Sequence, residues 1–117
     1  MAVLTVAQIV ITKVAQTLAA ANGGGDSFPN TGKELIAIKN AGGGSINLTV
    51  VASGQVCNYG SGSPTHDAVI AIPNDSVIYL VGPFATLRFN DTNQRAQLTY
   101  SGVTSVTIAI FSLPPNA

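Results

Sequence analysis

Cys57, His66 and Asp67 are the residue types of a nucleophile, a base and an orienter. They do chemistry only when they converge in space, with the thiol beside the imidazole. Here all three lie on or beside one glycine-rich loop, and no catalytic signature surrounds the cysteine. We therefore read Cys57 as a small, partly buried residue and His66 as a surface histidine. Asn90-Asp91-Thr92-Asn93 could offer oxygens to calcium. A calcium site wants roughly six to eight oxygens, several of them carboxylates, and Asp91 is the one charge in the run. A turn capped by its own side chains is the better reading.

Other motifs carry equally little chemistry. The triplets Asn47-Leu48-Thr49, Asn74-Asp75-Ser76 and Asn90-Asp91-Thr92 match the glycosylation acceptor pattern. Chance supplies several in a chain this rich in Asn, Ser and Thr, and Asn47 falls inside an expected strand. The glycine runs 23–25 and 42–44 lack a phosphate-loop context, so they read as turns. Sugar stacking is poorly served. There is no Trp, Tyr59 lies in a loop, and Tyr79 and Tyr100 belong to the core or its rim. Asp26, Glu34, Asp67, Asp75 and Asp91 show no obvious pairing. The chain reads as no enzyme, with no catalytic, cofactor-binding or metal residues and no cofactor.

The elements that hold these residues are strands. At 117 residues the chain suits one domain with one core, spanning 1–117. Cys57 is a single cysteine, so no internal disulfide staples it. Charged residues are 9% of the chain, against about 25% in ordinary domains. Five basic and five acidic residues cancel, and Lys13, Lys33, Lys39, Arg88 and Arg95 are scattered singly. Nucleic acid needs a clustered basic field, so it is set aside. Ser, Thr, Asn and Gln number 34 of the 117, and such a surface suits packing against another protein. No run approaches the roughly 20 apolar residues that span a bilayer, so no membrane is expected. Met1 to Ile11 is apolar, but Gln8, Thr12, Lys13 and Gln16 break the pattern of a signal peptide.

Short alternating apolar runs predict strands over 34–39, 45–52, 68–72, 77–81, 96–100 and 105–111, with a weaker one over 14–18. β-branched residues dominate them and suit a pleated surface. The runs 68–72 and 77–81 are continuously apolar, which predicts central positions. The turn residues at 41–44, 73–75 and 101–104 predict tight hairpins. Residues 1–21 read as an N-terminal strand or arm. Pro83 to Leu87 reads as a single helical turn. Two long loops, 21–32 and 54–65, are the places for partner contacts.

One pattern is specific in another way. An apolar N-terminal strand leads into Asn22-Gly23-Gly24-Gly25-Asp26-Ser27-Phe28-Pro29-Asn30-Thr31-Gly32-Lys33-Glu34. Ile38-Lys39-Asn40-Ala41-Gly42-Gly43-Gly44-Ser45 and a Thr/Val strand follow. Then come Val81-Gly82-Pro83-Phe84, Phe89-Asn90-Asp91, Leu98-Thr99-Tyr100-Ser101 and Thr104-Ser105-Val106-Thr107-Ile108-Ala109. Over nearly the whole chain this succession resembles the small head decoration (cement) proteins of tailed bacteriophages. The resemblance implies an all-β, antiparallel, jelly-roll-like sandwich of about eight strands. It implies a homotrimer on the capsid exterior, assembled in the host bacterial cytoplasm, that clamps the major capsid protein against internal DNA pressure. The N-terminal strand could add to a neighbour's sheet edge. A host- or glycan-binding module of fibre or lectin type, or another virion component such as a tail or neck protein, would share this composition.

Overall fold

Alternating runs become strands in the computed structural model, which describes residues 2–9, 17–52 and 67–113. In chain order they are β1 (Ala2–Val3), β2 (Val6–Gln8), β3 (Ala19–Ala20), β4 (Asp26–Pro29) and β5 (Glu34–Asn40). Then follow β6 (Ile46–Val50), β7 (Ala68–Ile72), β8 (Ile78–Val81), β9 (Arg95–Tyr100) and β10 (Val106–Ser112). A single helical turn, α1 (Thr86–Phe89), joins β8 to β9. The first sheet runs β1-β4-β9-β6-β7 and the second β2-β10-β5-β8, with β3 also on β10.

From β3 to β10 the chain changes sheet at every connection except β6 to β7, which are antiparallel neighbours. The eight strands β3–β10 thus form the nested antiparallel winding of a jelly roll, as expected. The arm adds to this frame. β1 lies parallel beside β4 and β2 parallel beside β10, so within one chain the arm pairs with both sheets. Of the expected strand over 14–18, residues 14–16 lie outside the described residues, and the strand that follows is β3.

Inward faces meet in one core. Ile36 and Ile38 of β5 and Ile108 and Ile110 of β10 face Phe28, Leu48, Val50 and Leu98, all at most 1% exposed. Burial of each such side chain contributes roughly 1.5–3 kcal/mol. Phe84 closes one end, 6.1 Å from Phe28 and 5.5 Å edge-on from Phe89 between ring centroids.

Several expectations need correction. The turns at 41–44, 73–75 and 101–104 are not hairpins. Connections 41–45, 73–77 and 101–105 are five residues each and carry the chain from one sheet to the other. Gly, Pro and Asn permit a reversal of the chain but do not decide its plane, and packed sheets lie about 10 Å apart. Nor are β7 and β8 central, since each ends its sheet. Their outward residues Val69, Ile78 and Leu80 are 60%, 52% and 68% exposed. Finally, the expected loop 21–32 contains β4, which pairs with β9 through Asp26 to Pro29. Its composition, Asp-Ser-Phe-Pro, has little strand propensity beyond Phe28. Pro29 is tolerated because β1 reaches only Asp26 and Ser27.

The three crossings meet at Asn40, which is fully buried. Its Nδ2 donates to Gly44 O at 2.9 Å and Ile72 O at 3.2 Å, and its Oδ1 accepts from Gly42 N at 3.0 Å. Its carbonyl accepts from Ser76 N at 3.1 Å, and next door Ala41 N donates to Ser105 O at 2.9 Å. One amide side chain and its neighbour therefore tie all three connections together.

Candidate interaction surfaces

Cys57, His66, Tyr59 and the loop 54–65 lie outside the described residues. Asp67, the third member of that set, accepts a hydrogen bond from Ala52 N at 2.7 Å. It ties the two ends of the segment between β6 and β7.

Asp91 is a turn residue, as its sequence suggests. Its Oδ1 accepts from Asn93 N at 2.8 Å and Arg95 N at 3.1 Å, while Oδ2 accepts from the Gln97 side chain. Partial burial pulls this carboxyl up, but those donors together outweigh it and hold it below its ordinary value. Among the described residues, no three His, Cys, Asp or Glu side chains gather around a point that could hold a metal.

The two carboxylates inside the fold are absorbed by hydrogen bonds. Asp26 shares the face of Leu98 in the β4–β9 register and is 1% exposed. Its Oδ2 accepts from Tyr100 Oη at 2.6 Å and from Asn22 N at 3.1 Å. Burial, and then the Asp26 carboxylate, push the Tyr100 hydroxyl far above the ordinary tyrosine value. Glu34, 4% exposed, accepts from Thr31 N at 2.6 Å and from Thr31 Oγ1 at 2.9 Å. Sequence reasoning missed both roles, because Asp26 lies within a segment that reads as loop and Glu34 just after it. The Thr31-x-x-Glu34 spacing, a threonine three residues before a glutamate, is the signal that could have found the second. Tyr79 is also committed, donating to Asp75 Oδ2 at 2.6 Å. That bond holds the Asp75 carboxyl below its ordinary value and raises the Tyr79 hydroxyl.

What the described residues do present is two surfaces. Over β6, β7 and the end of β9, the outer face of the first sheet carries cross-strand pairs Thr49–Thr99, Asn47–Ala71 and Thr49–Val69, while toward β4 the pair Ser27–Gln97 is largely covered and Arg95 brings a charge. The side chains of the first three pairs are uncharged. Gln97 Oε1 is buried beneath this face with no hydrogen-bond partner among the described residues. The second surface is the side where β7 and β8 end their sheets. Three large apolar residues, Val77 before β8 and the outward Ile78 and Leu80 on it, stand there between 48% and 68% exposed.

Such an arrangement offers shape, hydrogen-bonding side chains and apolar area for contact with another macromolecule. The fold is that of an all-β jelly-roll sandwich. No family model, curated protein or solved structure matches the chain.

Proposed function

We propose that this chain is a structural virion protein, a capsid decoration protein that binds the outer surface of a tailed-phage head and stabilises contacts of its major capsid protein. The observation that carries the reading is the part of the outer face of the first sheet formed by Asn47, Thr49, Val69, Ala71 and Thr99, where no side chain is charged; the charges of Arg95 and Asp91 lie at the other end of β9. Polar side chains without charge exchange water for protein hydrogen bonds at small desolvation cost, so Asn47, Thr49 and Thr99 suit a protein-facing surface. The succession of motifs along the chain favours the same role. Low charge, 9% of residues, removes long-range repulsion between densely placed copies. Repetition by symmetry lets modest single contacts add up across a shell.

The test is to add purified protein to undecorated heads of the cognate phage. Co-sedimentation and greater heat resistance of the heads are expected. Thr99→Lys, at an exposed site, should weaken attachment while leaving the melting temperature of the free protein unchanged. Failure to sediment with the heads counts against the proposal, as does retained affinity in that variant.

A further inference from the structure

From the free edge of the second sheet we infer that the chain pairs with a second copy of itself through β8, antiparallel across a two-fold axis. β8 is hydrogen-bonded to β5 on one side and, among the described residues, has no strand on the other. An unpaired edge presents a row of N–H and C=O groups, and proteins usually blunt it with charges, proline or a bulge. β8 reads Ile-Tyr-Leu-Val, with no charge or proline within it, and its one protection is its length of four residues before Gly82-Pro83. The opposite side of the sandwich differs, because the arm places β1 on β4 and β2 on β10 there.

The occupant follows from symmetry, register and charge. A strand paired antiparallel with its own copy is closed by a two-fold axis, so the product is a dimer, not the trimer the resemblance implies. Residues directly opposite share a face of the sheet. A register centred on Tyr79 sets Ile78 against Leu80 of the second copy, twice, on the outer face. Centring on Leu80 instead would set Ile78 against Gly82 and carry the ladder toward Pro83, which has no N–H to give. Ile78 and Leu80 are 52% and 68% exposed in the single chain, so the Tyr79-centred register covers the apolar groups that solvent now meets. The ends match as well. β5 and β8 are antiparallel, with Asp75 before one and Lys33 before the other, so these exposed charges lie at opposite ends of the pair. Lys39, half-buried on β5 opposite Ile78, shares the Asp75 end, and the two-fold brings the exposed Asp75 of each copy toward the exposed Lys33 of the other. The chain is net neutral, so two copies approach without repulsion.

This pairing is independent of the capsid reading. It uses a sheet edge rather than the outer face of the first sheet, and it is measured on the purified protein alone. Light scattering across a concentration series should give the mass of two chains. Leu80→Lys and Ile78→Glu should each weaken the dimer about tenfold or more, since each leaves a charge against an apolar partner at both contacts. An equimolar mixture of the two variants should recover a dimer with one chain of each, because one contact becomes Glu against Lys and the other stays Leu against Ile. Leu87→Lys, at a residue of the same 68% exposure on α1, should leave the dimer intact. Cooperative thermal unfolding would show that the variants are folded, since loss of the dimer by itself lowers the melting temperature. The inference is overturned by a mass of one or three chains for the unaltered protein. A dimer indifferent to Leu80→Lys, an equal loss with Leu87→Lys, or a mixture that stays monomeric would overturn it equally.

Discussion

Tyr100 and Asp26 show how a buried polar pair shapes stability at the level of single residues. The tyrosine hydroxyl donates a hydrogen bond to a carboxylate that sits 1% exposed on the core face of β4. Tyr100→Phe removes that donor and leaves Asn22 N–H on the same oxygen, so the carboxylate loses part of its solvation. The expected loss is about 1–3 kcal/mol, the cost of an unsatisfied buried group, and urea unfolding at neutral pH would measure it. Alkaline pH supplies a second readout. The unfolded chain releases the Tyr100 proton near the ordinary value of 10.0, whereas the folded protein holds it well above that. Unfolding then releases a proton, so this contribution is complete below pH 10 and falls as the pH rises beyond it. The same unfolding curves for Tyr100→Phe should lack this part of the alkaline decline.

Among the elements, the sheet-crossing connections decide the topology. With one side chain Asn40 satisfies Gly44 O and Gly42 N of the crossing that follows it and Ile72 O at the end of β7, and its own carbonyl accepts Ser76 N of the next crossing. Asn40→Ala would strand these groups at a fully buried position, and thermal melting should report a loss of about 2–4 kcal/mol. Gly42 is the companion position. A Cβ there would stand 2.7 Å from Thr104 O and 3.2 Å from Asn40 Oδ1, so the backbone of another crossing would have to move. Gly42→Ala should therefore destabilise by about 1–3 kcal/mol, the range for forced overpacking. Gly43→Ala, where a Cβ would meet no atom within 4 Å, is the matched control.

For the whole molecule, the sandwich has two unlike sides. On one, the arm supplies short parallel strands that cover the edges of β4 and β10; on the other, β7 and β8 end their sheets uncovered by any described strand. Deleting residues 1–8 should expose two further strand edges. The truncated chain is expected to melt lower and to scatter light on standing, where the full chain stays clear. An equal melting temperature and clear solutions would show that the arm is dispensable to the fold. The capsid-binding and dimer predictions divide along the same line, because the first uses the outer face of one sheet and the second an edge of the other.

The amino-acid sequence by itself determined that this chain is all-β, and it placed most strands to within a residue or two. Glu34–Asn40 was legible because Ile36 and Ile38 recur at a period of two, and Ala68–Ile72 because it is a short β-branched apolar run bounded by turn residues. It also marked where the chain turns. Only the tertiary structure decided whether each turn stays in one sheet or crosses to the other, because the same glycines and asparagines serve both paths. β4 was hidden because Asp26 is held by Tyr100, 74 residues away, and no local pattern records so distant a donor. Continuous apolar character in β7 and β8 pointed to the centre, yet both strands are edges. Hydrophobicity records what a strand can bury, while position within the sheet is set by the pairing of the whole chain.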